Sequence, residues 1–161
     1  MKVETTELCD KFIDQINVAT PIGFKDFGGV KSFFGQIVTV KCYENNPLVR
    51  QMLEKDGTGK ILVVDGGGSD RCALMGDNMA ELAIKNNWKG IVVFGCIRDS
   101  VAIAKLEIGL KALNVIPVKS GKKNEGDINT TVNFANVTFV PNHFIYCDED
   151  GIVVSQNSLA I

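Results

Sequence analysis

Ile61-Leu62-Val63-Val64, then Met79 to Asn87, then Ile91-Val92-Val93-Phe94 decide how this chain is read. The outer two are short apolar runs that suit buried strands, and the middle segment has the spacing of a short helix. A strand, a helix and a strand in that order form one α/β step, whose two strands lie parallel. Neighbouring strands sit about 4.8 Å apart, and ligands of α/β folds collect at the rim formed by their carboxyl ends. Two fragments fall at that rim: Gly76-Asp77-Asn78-Met79 at the helix start, and Arg98-Asp99 after the second strand. Twenty residues, Asn78 to Ile97, separate Asp77 from Arg98. A guanidinium beside two carboxylates is a sensible receptor for an acidic substrate and a divalent cation.

Working outward, Leu8, Phe12 and Ile16 recur at helical spacing, with Thr5 or Thr6 as the cap of an outer helix. Gly23, Gly28 and Gly29 mark a loop, and Gln36 to Lys41 reads as a strand. Asn46-Pro47 places a cap and a first-turn proline on a helix that runs to about Lys55. After Asp99 or Ser100, Val101 to about Leu113 reads as a long helix feeding a strand from Val115 to Lys119. Ser120 to Thr130 reads as an exposed loop, with Lys122-Lys123 on a solvated face. Val132 to Ser155 reads as strands divided by Pro141-Asn142 and by the hairpin turn Asp150-Gly151. The expected class is therefore α/β, with parallel steps in the middle and antiparallel strands at the end, in one domain over residues 1–161.

Composition narrows the function. The formal charge of −2, from 17 basic and 19 acidic residues, gives no general drive toward nucleic acid. Any RNA-related role is expected to run through a protein partner. Met1 to Asp14 is charged and polar, and no apolar run reaches membrane-span length, so a cytoplasmic protein is expected. Cysteines 9, 42, 72, 96 and 147 are scattered without a C-x-x-C pair, which argues against a zinc site or a disulfide framework. Cys96, near Arg98, reads as a small buried residue at a strand end, and His143, the sole histidine, as a surface residue in a turn. Gly66-Gly67-Gly68-Ser69 does not continue into a dinucleotide motif, because Arg71 stands where the third glycine would fall. Arg71 is read either as part of an interface salt bridge or as a substrate contact.

A magnesium-like ion prefers oxygen ligands and keeps several waters, so Asp99 can serve as its carboxylate with the substrate supplying the rest. Arg98 can clasp the carboxylate of a 2-oxo acid, and the N–H groups around Asn78 and Met79 can hold the other end of that anion. The same groups suit an enolate, formed either by retro-aldol cleavage or by decarboxylation, with Asp77 orienting the water that takes the hydroxyl proton. Lys85, Lys89 and Lys105 fall on helical faces or a helix end and offer no compelling Schiff base. The alternative is that Asp77 or Asn78, and Asp99 or Ser100, merely cap the helices that follow them.

Thr6-Glu7-Leu8-Cys9-Asp10, Phe33 to Lys41, Leu62 to Ser69, Ile108-Gly109 and Ile116-Pro117-Val118 resemble the regulator of ribonuclease E activity A family, which includes 4-hydroxy-4-methyl-2-oxoglutarate aldolases. Its aldolase signature, an Asp, twenty residues and Arg-Asp, is matched by Asp77, Arg98 and Asp99. The resemblance implies that Gly76 to Met79 and Arg98 contact substrate, and that Asp99 holds Mg²⁺ or Mn²⁺. It also implies a compact β/β/α domain akin to the phosphohistidine swivelling fold, assembled as a homotrimer. Aldolase and oxaloacetate decarboxylase activity is one implied function; inhibition of ribonuclease E by protein binding is the alternative. Relatives with a longer C-terminal part supply an acidic residue from a neighbouring subunit; here Asp148, Glu149 and Asp150 are the candidates, though they also suit a hairpin turn.

Overall fold

The computed structural model describes residues 2–161. In chain order its elements are α1 (Thr5–Phe12), a 3₁₀ turn (Ile13–Gln15), β1 (Ile16–Val18), β2 (Lys25–Asp26), β3 (Phe33–Lys41), α2 (Pro47–Leu53), β4 (Lys60–Asp65), β5 (Ala73–Met75), α3 (Asp77–Lys85), β6 (Gly90–Ile97), α4 (Ser100–Ile103), β7 (Gly109–Val115), β8 (Asp127–Ile128), β9 (Val132–Phe134), β10 (Val137–Phe139), β11 (Phe144–Asp148) and β12 (Gly151–Ser155). The main sheet follows the order β1-β12-β11-β3-β4-β6-β7-β2, with β5 added beside β6 and β8 beside β3. Strands β3, β4, β6 and β7 run parallel, and β1, β11, β12 and β2 extend them antiparallel.

Apolar residues cover both faces of the parallel strands, which is why their sequences show unbroken hydrophobic runs rather than alternation. Leu62, Val64, Ile91 and Val93 pack against Val49, Leu53, Ala80 and Ala83 of the helices. Their neighbours Ile61, Val63 and Val92 pack the other way, against Ile145, Ile152 and the β9–β10 hairpin. Phe134 of that hairpin stacks on Phe94 at 4.8 Å and on Phe139 at 4.3 Å. Each fully buried aliphatic contributes roughly 1.5–3 kcal/mol, so the two cores fix the strand ends as a rigid rim.

The segment from Val101 to Leu113 corrects the sequence reading. One helical turn, α4, is followed by a strand, β7, that pairs with β6 from Gly90↔Gly109 to Val93↔Ala112 and, after a one-residue register shift, at Cys96↔Asn114 and Ile97↔Val115. Ile108, Leu110 and Ala112 are buried in the helix-side core, while Gly109 lies against Phe33 and Lys111 pairs with Asp26 at 3.1 Å. This period of two was masked because the same apolar residues also fit helical spacing. Val115 ends β7, and Lys119 forms only an isolated bridge to Ala73 in place of the expected strand. Gly90 and Gly109 stand opposite each other under the ring of Phe33, and a Cβ on either would fall 2.4 or 2.1 Å from ring atoms.

The expected caps also move. Residue Glu4 precedes α1 without a side-chain cap, and Ile16 has left the helix for β1. The Thr5 hydroxyl donates to Asp148 Oδ1 at 2.6 Å and its N–H to Oδ2 at 2.7 Å, so a distant carboxylate closes the helix start. Burial acts to raise the Asp148 pKa, but these donors and the N–H groups of Asp150 and Gly151 outweigh it and hold the carboxyl below its ordinary value. Asp148 thus closes the β11–β12 hairpin and pins α1. Its contribution is present above the unfolded carboxyl range near pH 4 and is lost as pH falls through the lower folded value. Asp148→Ala is expected to lose about 3 kcal/mol at pH 7, with the gap to wild type closing below that folded value, as read from urea unfolding across pH.

Candidate active site

Strand β5 brings the two halves of the site together. It pairs with β6 in parallel, Ala73 opposite Cys96 and Met75 opposite Ile97, and the Arg98 N–H donates to Met75 O at 3.0 Å. Gly76-Asp77 therefore leaves one strand beside the point where Arg98-Asp99 leaves the next. The sequence reading placed these fragments at neighbouring strand ends but assigned the first to the Ile61–Val64 strand. A strand of three residues has too little length for periodicity to show.

Asp99 adopts left-handed backbone angles, φ 61° and ψ 38°, a conformation that Asp and Asn tolerate better than most residues. Its Oδ2 accepts the Asp77 N–H at 3.2 Å. None of Asp77, Asn78, Asp99 and Ser100 caps the helix that follows it, but Asp99 closes the start of α3 from the neighbouring strand end through the Asp77 N–H. Ala80 is the first residue of α3 to bond back, to Gly76 O at 3.2 Å, which leaves the Asn78 and Met79 N–H groups ahead of the intrahelical ladder. Gly76 makes the approach possible, because a Cβ there would sit 2.3 Å from Asp99 Oδ2 and 3.3 Å from Arg98 Cγ.

Gly76, Asp77, Asn78, Met79, Arg98 and Asp99 line a cleft of about 120 Å³. Arg50, Asn46, Lys119, Ser120 and Lys122 complete its walls, and the sequence reading had placed none of them there. Asn46 does not cap α2; its Nδ2 donates to Leu74 O at 2.8 Å and its Oδ1 accepts from Lys122 Nζ at 3.0 Å. Lys122 is accordingly a cleft residue, a correction to its reading as part of a solvated face. No local signal marks Lys119 or Ser120, since their position depends on a long-range backbone bond from Ala73 N–H to Val118 O.

Several other candidates resolve. Cys96 is buried in β6, and burial pushes its thiol pKa up, so the nearby arginine does not make it reactive. Arg71 is outside the cleft and pairs bidentately with Glu44 of the same chain at 2.6 Å, whose carboxyl is held below its usual range by Arg71 and then by Ser69. His143 is half-buried in a turn. Gly67 and Gly68, at φ 69° and 70°, turn the chain after β4. Asp148 is spent on Thr5, which leaves Glu149 and Asp150 exposed at the hairpin tip.

Among the described residues no group of three or more His, Cys, Asp or Glu is gathered tightly enough to cage a metal ion. The donor set still fits a hard ion that keeps most of its waters, because Asp99 spends Oδ2 on one N–H and retains Oδ1. No helix among the described residues is long and apolar enough to cross a membrane.

A parallel α/β core whose strand ends gather an arginine, two carboxylates and a helix start defines a class of α/β proteins with a candidate site at the carboxyl rim of the sheet. Within it, the chain belongs to the RraA-like family, described as Aldolase/RraA, whose model matches residues 5–154. It is 54% identical over 159 residues to a protein of Alkalilimnicola ehrlichii provisionally named 4-hydroxy-4-methyl-2-oxoglutarate aldolase, covering 99% of this chain and 98% of that one. The RNA-processing inhibitor RraA from Thermus thermophilis superposes with a TM-score of 0.94 at 39% identity, covering 99% of this chain and 96% of that one. A Geobacillus kaustophilus structure titled S-adenosylmethionine:2-dimethylmenaquinone methyltransferase superposes with a TM-score of 0.95 at 41% identity, covering 98% and 97%. These names differ in kind, so the choice among activities rests on the chemistry of the cleft.

Proposed function

We propose that this protein cleaves 4-hydroxy-4-methyl-2-oxoglutarate to pyruvate, and decarboxylates oxaloacetate at the same site. The observation that carries the reading is the convergence of Arg98, Asp99 and the start of α3 on one small cleft, tied by the bond from Asp77 N–H to Asp99 Oδ2. The name of the Alkalilimnicola relative supports it. Arg98 clasps the carboxylate of the 2-oxo acid, and the Asn78 and Met79 N–H groups receive the opposite side of that anion. Asp99 would hold Mg²⁺ or Mn²⁺, which when bound supplies Lewis-acid polarisation of the keto oxygen. In the retro-aldol direction the C4 hydroxyl gives up its proton through a water oriented by Asp77. The C3–C4 bond then breaks, its electron pair passes into a pyruvate enolate, and the C4 fragment leaves as a second pyruvate. Protonation of the enolate completes the balance. Loss of carbon dioxide from oxaloacetate delivers the same enolate, so one set of groups serves both reactions. By family resemblance the protein works in the cytoplasm as a homotrimer.

The test is pyruvate release from both substrates with Mg²⁺ or Mn²⁺, against metal-only blanks, EDTA and Arg98→Ala. Turnover above blank, abolished by EDTA and lowered at least about 10²-fold in the variant, is expected. A folded protein with no turnover above blank would overturn the reading. A second role is supported by the likeness to the Thermus RNA-processing inhibitor: binding to ribonuclease E. The net charge of −2 favours protein contact over RNA contact. Retention of purified ribonuclease E on the immobilised protein checks it.

A further inference from the structure

Three stretches far apart in the sequence meet beside the cleft: the loop from β3 to α2, the stretch from β4 into β5, and the segment after β7. Each contributes to the cleft lining, through Asn46, Ala73 and Lys119 in turn. Backbone bonds outside the regular elements join them. Ala73 N–H donates to Val118 O at 2.7 Å, Gly121 N–H to Glu44 O at 2.8 Å, and Asn46 N–H to Gly121 O at 3.3 Å. Isolated parallel bridges, Ala73↔Lys119 and Asn45↔Gly121, mark the same two seams. The segment from Val118 to Gly121 is therefore held by β5 on one side and by the β3–α2 loop on the other.

Glu44 is the joint on that second side. Its backbone is left-handed, φ 57°, a region that glutamate enters at a cost because its Cβ crowds the following carbonyl. The side chain holds the residue there. Ser69 Oγ and Arg71 Nε each donate to Oε2 at 2.6 Å, and Arg71 Nη2 donates to Oε1 at 2.6 Å. The Arg71 N–H in turn donates to Ser69 Oγ at 3.2 Å. Tyr43 adds a second contact between the same two loops, its ring so close to Gly67 that a Cβ there would fall 2.7 Å from Cδ1. One residue thus has its carboxylate tied to the β4–β5 loop and its carbonyl tied to Gly121. A return of Glu44 to an extended or right-handed backbone would turn that carbonyl away.

We propose that Arg71 and Glu44 are positioning residues for the cleft: their bidentate pair holds Glu44 in its left-handed turn, and that turn sets the place of the wall from Val118 to Lys122. Neither side chain lines the cleft itself. The Arg71 side chain is 69% exposed, and ion pairs in such surroundings add little to global stability, so the effect of this one is local. Its consequence for turnover rests on the reading of the cleft as a pyruvate-forming site; its consequence for the backbone does not.

Amide hydrogen exchange on the intact protein tests this in Arg71→Ala, Glu44→Ala and Glu44→Asn, with urea unfolding and Mg²⁺-dependent oxaloacetate decarboxylation measured alongside. Arg71→Ala and Glu44→Ala are expected to speed exchange at the Gly121 amide by about tenfold, while the urea midpoint and exchange at Val63 in the sheet stay at wild-type values. In both, KM for oxaloacetate rises about fivefold with kcat nearly unchanged, because Arg98 and Asp99 are untouched. Glu44→Asn is one carbon too short for the pair but tolerates the left-handed angle, so it recovers much of the protection lost in Glu44→Ala. Gly121 exchange unmoved in the two alanine variants would overturn the proposal, as would a fallen urea midpoint with faster exchange throughout the sheet. Equal exchange in Glu44→Asn and Glu44→Ala would overturn the left-handed turn as the link. A loosened Gly121 with KM unmoved would show that the turn does not set the cleft. A wild type that releases no pyruvate above blank removes the proposed activity, and Gly121 exchange then decides the positioning by itself.

Discussion

Asp99→Asn is expected to fold with wild-type stability and to lose about 10³-fold of the pyruvate-releasing activity, a difference of about 4 kcal/mol in transition-state stabilisation. The separation of stability from activity follows from the backbone at this position. Asn tolerates the left-handed angles, φ 61° and ψ 38°, as readily as Asp does, and its amide oxygen can accept the Asp77 N–H in place of Oδ2. Asp99 is exposed, so removing its charge leaves no buried partner stranded and should move unfolding by no more than about 0.5 kcal/mol. What disappears is the anionic oxygen that would hold a divalent ion. Steady-state kinetics paired with urea unfolding checks both halves. An Asn variant that keeps more than a tenth of the activity would show that the negative charge is dispensable.

Gly76→Ala is expected to cost about 10²-fold in activity by a different route. The backbone at Gly76 is extended, φ −138° and ψ −158°, so an L-residue meets no strong conformational barrier there. The obstacle is steric: the new Cβ would stand 2.3 Å from Asp99 Oδ2 and 3.3 Å from Asp99 Cγ. The carboxylate must swing away by about 1 Å, and misplacement on that scale is enough for a loss of about 10²-fold. Oδ2 would also lose the Asp77 N–H. Because Asp99 keeps its charge, raising the Mg²⁺ concentration should recover part of the lost rate in Gly76→Ala and none in Asp99→Asn, a contrast that kinetics against metal concentration reads directly.

Those residues that were legible in the sequence share one property: their neighbours in space are set by a local pattern. Val63 and Val92 announce parallel strands because buried runs joined through a helix have few other arrangements, and the rim position of Asp77 and Arg98 follows. Met79 to Asn87 was misplaced only by two residues at each end, the usual uncertainty where a helix frays. Leu110 and Ala112 were assigned to a helix because their apolar spacing fits both periods, and only pairing with β6 decides between them. Thr5 looked like a cap because its hydroxyl is suited to one, yet Asp148 lies 143 positions away and takes that bond. Lys119, Ser120 and Lys122 belong to the cleft through bonds to Ala73, Glu44 and Asn46, none of which leaves a trace in the composition of their own segment.

The ring of Phe33 over Gly90 and Gly109 has a consequence for how the chain finds its alignment. If β6 or β7 slipped by one residue, a side chain such as Ile91 or Leu110 would be driven into the space the ring occupies, so the glycine pair acts as a steric key that admits one alignment and rejects its neighbours. Arg98 and Asp99 lie at the opposite end of β6. Between the key and the cleft the pairing shifts by one residue, from Val93↔Ala112 to Cys96↔Asn114, so the glycine pair sets the alignment of the first half of β6 and the irregularity re-aims the second half toward Arg98.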